Sequence, residues 1–166
     1  MLQRWDIVVG DTAPPKDVAI STDILTSTQR YLIKKMQKNV TMGKGVLASE
    51  AASSFKTKDY IILGNPCDNT LAQEILQRDI FTTYNPANET GTKCQIFQPG
   101  ESMIKLVATS PNTAALYIGG YSWKETEGAA QILIQQAESN NTKYNLNGKE
   151  LRILGEKGNA RIVAIS

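Results

Sequence analysis

Three apolar runs stop at glycine and give way within a few polar residues to a helix-like stretch. They are Ile7-Val8-Val9-Gly10, Tyr60-Ile61-Ile62-Leu63-Gly64 and Leu116-Tyr117-Ile118-Gly119-Gly120. A short run that is apolar at every position needs cover on both faces. Each run therefore predicts a buried strand, and the alternation with helices predicts an α/β fold with a partly parallel sheet. The three runs are expected to be neighbouring interior strands.

Between and after these runs the pattern changes period. Val18, Leu25, Leu32 and Met36 recur at helical spacing, with Ile24 and Ile33 widening the stripe. They predict a long amphipathic helix that opens after Pro14-Pro15 and reaches about Lys38, with a break near Ser27 because threonine and isoleucine lower its propensity. Gly43-Lys44-Gly45 reads as its stop signal. Residues 46–55 read two ways, as a short strand at Val46-Leu47-Ala48 or as a helical turn from Ser49 to Ser54. Thr70–Gln77 predicts a helix with Leu71, Ile75 and Leu76 on one face, capped by Asp68 or Asn69. The stretch from Asp79 to Gly100, rich in Thr, Asn, Pro and Gly, predicts a long irregular excursion. Ile104–Thr109 and Ala114–Ile118 predict strands joined by the short turn Ser110-Pro111-Asn112, hence antiparallel to each other. Thr126–Ala137 predicts a helix with Ala129, Ala130, Leu133 and Ile134 turned inward. Beyond the turn signal Asn147-Gly148, Glu150–Leu154 and Ala160–Ile165 predict a closing antiparallel pair. The expected architecture is a single three-layer domain over residues 1–166, with a mixed sheet flanked by helices. The chain reads either as a whole protein or as a piece of a longer exported one.

Composition narrows the chemistry. Eighteen basic and sixteen acidic residues leave a formal charge of +2. Neither sign forms a block, so neither a nucleic-acid surface nor a polybasic membrane surface is expected. No apolar stretch approaches the roughly eighteen residues of a membrane span, so direct membrane insertion is not expected either. The chain contains no histidine. That removes the commonest general base, the usual zinc ligand and the partner of a Ser-His or Cys-His nucleophile. No complete catalytic motif is present, and no metal or cofactor is expected.

The two cysteines, Cys67 and Cys94, read as a disulfide that pins the far end of the irregular excursion. Two buried thiols, or a reactive Cys67 at a helix start, are the alternatives. If the glycine-terminated strands are parallel, Asp11, Asn65, Asp68, Asn69, Lys124 and Glu125 gather at the carboxyl edge of the sheet. Open α/β folds bind ligands there, and helix starts favour an anion. The same residue types also serve as caps and turn formers. Three Asn-x-Ser/Thr sequons, at Asn39, Asn88 and Asn140, are candidate glycosylation sites.

The second run with its turn, Asp59-Tyr60-Ile61-Ile62-Leu63-Gly64-Asn65-Pro66-Cys67-Asp68-Asn69, resembles the strand, Gly-Gly-Pro and Asn turn of archaeal surface-layer (S-layer) proteins. Ala115-Leu116-Tyr117-Ile118-Gly119-Gly120-Tyr121, with Thr126 and Ala129-Ala130 after it, is similar to that family's later strand, turn and small-residue helix. Asp6-Ile7-Val8-Val9-Gly10, with Asp17 and Ala19, is similar to its first strand and helix. The likeness spans roughly residues 5–135. Asn65 stands where the family usually has a second glycine, and the cysteine pair is not part of its pattern. The resemblance implies a non-enzymatic, extracellular cell-surface module of a glycosylated archaeal envelope protein, acting through self-association or contacts with other envelope proteins. Two further readings remain open from the residues. One is a module binding a small anion or sugar at the carboxyl edge. The other is a hydrolase or transferase working through paired carboxylates.

Overall fold

A computed structural model describes residues 4–36, 41–80, 96–138 and 150–165. The elements are β1 (Arg4–Val9), α1 (Pro15–Met36), β2 (Thr41–Leu47), α2 (Ala48–Ala51), a 3-10 turn at Ala52–Ser54 and β3 (Asp59–Leu63). They continue with α3 (Thr70–Ile80), β4 (Glu101–Ser110), β5 (Thr113–Gly120), α4 (Trp123–Glu138), β6 (Glu150–Leu154) and β7 (Arg161–Ile165). The strands form one seven-stranded sheet in the order β2-β1-β3-β5-β4-β6-β7. β2, β1, β3 and β5 run parallel, while β4, β6 and β7 are joined antiparallel, so the sheet is mixed as the sequence predicts.

The alternation of side chains along the strands sorts the core into two layers. Val8, Val46, Tyr60, Ile62, Met103, Ala115 and Tyr117 pack on one face against Ala48 and Ala51 of α2 and Leu71, Ala72, Ile75 and Leu76 of α3. Ile7, Val9, Ile61, Leu63, Ile104, Ile118, Leu151 and Ile153 pack on the other face against Ile20 and Ile24 of α1 and Ala129, Ala130 and Ile132 of α4. The three glycine-terminated runs are the adjacent strands β1, β3 and β5, buried on both sides. Such double cover is what apolarity at consecutive positions requires.

Several local expectations are corrected. Gly43-Lys44-Gly45 does not stop a helix but lies inside β2, a strand at the sheet edge. Glycine is needed at position 43 because a Cβ there would fall 1.6 Å from Oδ1 of the buried Asp6. That carboxylate accepts hydrogen bonds from the backbone of Lys44 (3.1 Å) and from Nε of Arg4 (3.2 Å). On α1, Val18 of the expected stripe is 51% exposed, whereas Ile24 is buried and Leu25 packs partly buried beside it; among the described side chains Asp17, Ile20 and Ser21 are buried as well. α1 is assigned as one continuous helix with no break at Ser27. The turn at Asn147-Gly148 lies outside the described residues, as does residues 81–95 of the expected excursion; Asp79 and Ile80 belong to α3.

Ile62 and Ile118 are fully buried, one in each layer. Replacing either with Asp places an unpaired carboxylate between two packed layers, at a cost of several kcal/mol against a net stability of about 5 to 15 kcal/mol. Ile62→Asp and Ile118→Asp are each expected to abolish cooperative urea unfolding followed by circular dichroism. A sigmoidal transition close to that of the wild type would show that these strands are not interior.

Candidate functional site at the carboxyl edge

The parallel strands carry their following turns to one edge of the sheet, and the chain leaves β1 and β3 in opposite directions. α1 follows β1 onto one face, whereas α3 follows β3 onto the other. The gap between two adjacent strands with this divergence is where open α/β sheets hold ligands. Here that gap is closed by the protein itself. The fully buried Asn69 donates from Nδ2 to the carbonyls of Leu63 (3.0 Å) and Val8 (3.4 Å). Its Oδ1 accepts from the backbone N–H groups of Leu71 (3.1 Å) and Ala72 (3.2 Å), capping α3. The β1 and β3 turns also meet backbone to backbone, since a Cβ on Gly10 would come within 1.9 Å of the Asp68 carbonyl oxygen.

The other expected site residues are brought to the same edge, but most are engaged in holding turns together. Asp11 accepts from the hydroxyl and backbone N–H of Ser49 (2.5 and 3.1 Å), tying the β1 turn to α2. Asn65 donates to the carbonyls of Gly120 (3.1 Å) and Tyr121 (2.6 Å) and accepts from the backbone N–H of Cys67 (2.7 Å). An asparagine here thus ties the β3 turn to the β5 turn, which glycine could not do. Glu125 accepts from the backbone N–H groups of Ser122 (2.9 Å) and Gly100 (3.2 Å) and from the Ser122 hydroxyl, a reciprocal cap at the start of α4. Burial pushes its carboxyl up, but these hydrogen bonds outweigh burial and hold it below the usual glutamate value. Lys124 is exposed, with its ammonium 6.0 Å from the Trp123 ring centroid and 3.9 Å from Glu156.

Asp17 escaped the sequence reading as a site residue. It lies in the first turn of α1 and is only 1% exposed, and its Oδ1 has no hydrogen-bond partner. Its Oδ2 stands 2.8 Å from where a Cβ on Gly64 would be, and Gly64 has a φ of +105°. Burial, reinforced by the negative charge of Asp68, pushes the Asp17 carboxyl up to about 6. Burial likewise raises that of the half-buried Asp68. The hydroxyl of the fully buried Tyr117 donates to the Gly64 carbonyl at 3.0 Å; burial and the Asp17 charge push this phenol well above its ordinary value. Periodicity gave no sign of Asp17, because an acidic residue in a first helical turn usually faces solvent and meets the helix dipole. The surface-layer likeness did include it.

Among the described residues, no group of three or more His, Cys, Asp or Glu is placed to hold a metal. Cys67 is exposed in the β3 turn, while its expected partner Cys94 lies outside the described residues. Asn39, Asn88 and Asn140 lie outside them too. No described helix is long and apolar enough to cross a membrane. The sequence matches no protein-family model and no curated protein.

Between about pH 4 and 6 the folded chain keeps a proton on Asp17 that the unfolded chain, with its ordinary value of 3.8, has released. The folded state therefore binds more protons, and the Asp17 contribution to stability falls as pH rises through that window. In metal-free buffer Asp17→Asn is expected to stabilise the protein by up to about 2 kcal/mol at pH 8 and by little at pH 4. Thermal melts at both pH values measure the difference, and equal effects at the two would contradict it.

The Cys67 to Cys94 disulfide is expected to close in the native protein and to contribute roughly 3 kcal/mol in the chain-entropy model. Intact-mass measurement after alkylation without reductant checks it; two alkylated thiols would rule the bridge out.

Proposed function

We propose that this chain is a non-enzymatic association module of an extracellular, surface-layer-like archaeal envelope protein, and that it pairs with a second copy of itself through the edge strand β7. The observation that carries the reading is the contrast between the two edges of the sheet. β2 is guarded by the exposed Lys44, by two glycines and by the inward carboxylate of Asp6, features that discourage strand pairing. Among the described residues β7 carries less of this: it has no glycine, its one charge is Arg161 at the start of the strand, and a bulge interrupts its pairing with β6. Val163 and Ile165 are 48% and 43% exposed, and Leu154 on the neighbouring β6 is 36% exposed.

Antiparallel pairing of two β7 strands about Val163 places Ile162 opposite Ala164 and Arg161 opposite Ile165. The Arg161 side chains, the only charges on the strand, then fall at opposite ends. A two-fold interface of this kind is self-complementary and avoids setting like charges against each other. The bulge between β6 and β7 adds twist to the strand and brings Val163 into the exposed set. The envelope setting rests on the likeness over roughly residues 5–135.

The competing readings are weaker on physical grounds. An anionic ligand at the carboxyl edge would meet the carboxyls of Asp17 and Asp68. A sugar would have to compete with the turn-to-turn hydrogen bonds of Asp11, Asn65, Asn69 and Glu125. A carboxylate-based hydrolase needs a carboxyl that substrate can reach, and Asp17 is almost wholly buried.

Sedimentation velocity over a range of concentrations tests the proposal. The wild type is expected to show a concentration-dependent dimer, and Val163→Lys with Ile165→Lys is expected to sediment as a folded monomer. A wild type that remains monomeric up to about 1 mM, equivalent to less than roughly 4 kcal/mol of association, would overturn it. A double variant that dimerises as well as the wild type would do the same.

A further inference from the structure

The carboxyl of Asp17 is the most anomalous group among the described residues. It is 1% exposed, its Oδ1 is unpartnered, and its Oδ2 reaches the β3 turn that carries Asp68, standing 2.8 Å from where a Cβ on Gly64 would be. A buried carboxylate is ordinarily held by a cation or by several donors. The cation next in sequence is turned elsewhere, since the Lys16 ammonium lies 5.6 Å from the centroid of the Trp123 ring. Gly64, which its Oδ2 approaches, donates its backbone N–H elsewhere, to the Ile118 carbonyl at 3.0 Å. The group stands where the β1 and β3 turns diverge, the place at which this class of sheet accommodates ligands.

We infer that Asp17 and Asp68 form a binding site for one hard divalent cation, with Ca²⁺ the ion it suits best, clamped between the start of α1 and the β3 turn. Three features point to the ion class. The two side chains offer only oxygen, the chain has no histidine, and two carboxylates together carry the charge that a divalent ion neutralises. Calcium is favoured over magnesium because it accepts irregular sets of carboxylate, carbonyl, hydroxyl and water oxygens, whereas magnesium demands a near-ideal octahedron. The β1 turn abuts the β3 turn, with the Thr12 hydroxyl 3.5 Å from the Asp68 backbone carbonyl. Only two acidic side chains take part, so the remaining ligands are hydroxyl, backbone and water oxygens. This inference is independent of the proposed role of β7.

Chelator-treated full chain is titrated at pH 7.5 with CaCl₂, and separately with MgCl₂, by calorimetry and thermal melting. The wild type is expected to bind one Ca²⁺ per chain with a midpoint of about 0.1 to 1 mM, the range of extracellular modules. Its melting temperature should rise with free Ca²⁺ as mass action requires. Asp17→Asn and Asp68→Asn are expected to weaken binding by more than about tenfold, while Asp23→Asn on the exposed side of α1 leaves it unchanged. Asp17→Asn is also expected to melt higher than the ion-free wild type and to lose the response to Ca²⁺, which separates loss of the site from misfolding. No heat and no melting shift with either ion would overturn the inference. So would an undiminished response in both variants, or a response to Mg²⁺ stronger than that to Ca²⁺. Sedimentation of the same samples with and without Ca²⁺ reads the β7 association separately.

Discussion

The side chain of Asn69 holds the parallel half of the molecule together. One amide group donates to the carbonyls of Val8 and Leu63 near the ends of β1 and β3 and accepts from the N–H groups of Leu71 and Ala72 in the first turn of α3. Strand ends and helix starts are where backbone polar groups run out of partners, and burying them unpaired costs of the order of 1–3 kcal/mol each. Here several are satisfied by one side chain that is itself wholly buried. Asn65 and Asp11 extend the arrangement to the β5 turn and to α2, so the carboxyl edge is a continuous polar seam. That seam is also why the edge is closed. In many α/β proteins its groups face a ligand, whereas here they face one another.

Much of the fold was legible in the sequence because its strongest signal, apolarity at consecutive positions, has one physical interpretation. Ile7-Val8-Val9, Ile61-Ile62-Leu63 and Tyr117-Ile118 could be stable only as doubly covered strands, and they are β1, β3 and β5. The antiparallel pairs β4–β5 and β6–β7 followed from short connections. The errors came where a polar or flexible residue is fixed by a distant partner. Gly43 and Gly45 carry the marks of a helix breaker, but the reason for Gly43 is Asp6, far away in sequence and adjacent in the sheet. The stripe on α1 was misread in part by the same blindness: periodicity counts Val18 as inward along with Ile24 and Leu25 and cannot count Asp17 or Ser21, yet the helix turns those two inward and Val18 out.

The candidate site was legible in location but not in content. Parallel strands ending in glycine predict a cluster of polar turn residues at one edge, and that cluster is present. Which of its members are free for chemistry depends on hydrogen bonds between turns far apart in the sequence, and composition carries no trace of these. Asp68 and Asn69 are adjacent and similar in type, yet Asn69 closes the seam with its side chain while the Asp68 side chain stays half-buried at the same edge.

The position of β5 has a consequence for how the chain reaches this structure. β5 joins the two halves of the sheet, pairing with β3 on one side and β4 on the other. Its pairing with β4 closes over the two residues Pro111 and Asn112, so the loop entropy of that hairpin is small and it can form early. The partnership of β1 with β3 instead requires a long excursion through α1 and β2 before Trp5 meets Asp59, a contact of high sequence separation that forms slowly. During synthesis β1, β2 and β3 leave the ribosome before β4 and β5. The edge of β3 that β5 will cover then stays unpaired until the β4–β5 hairpin docks against it, and over that interval it is open to wrong partners.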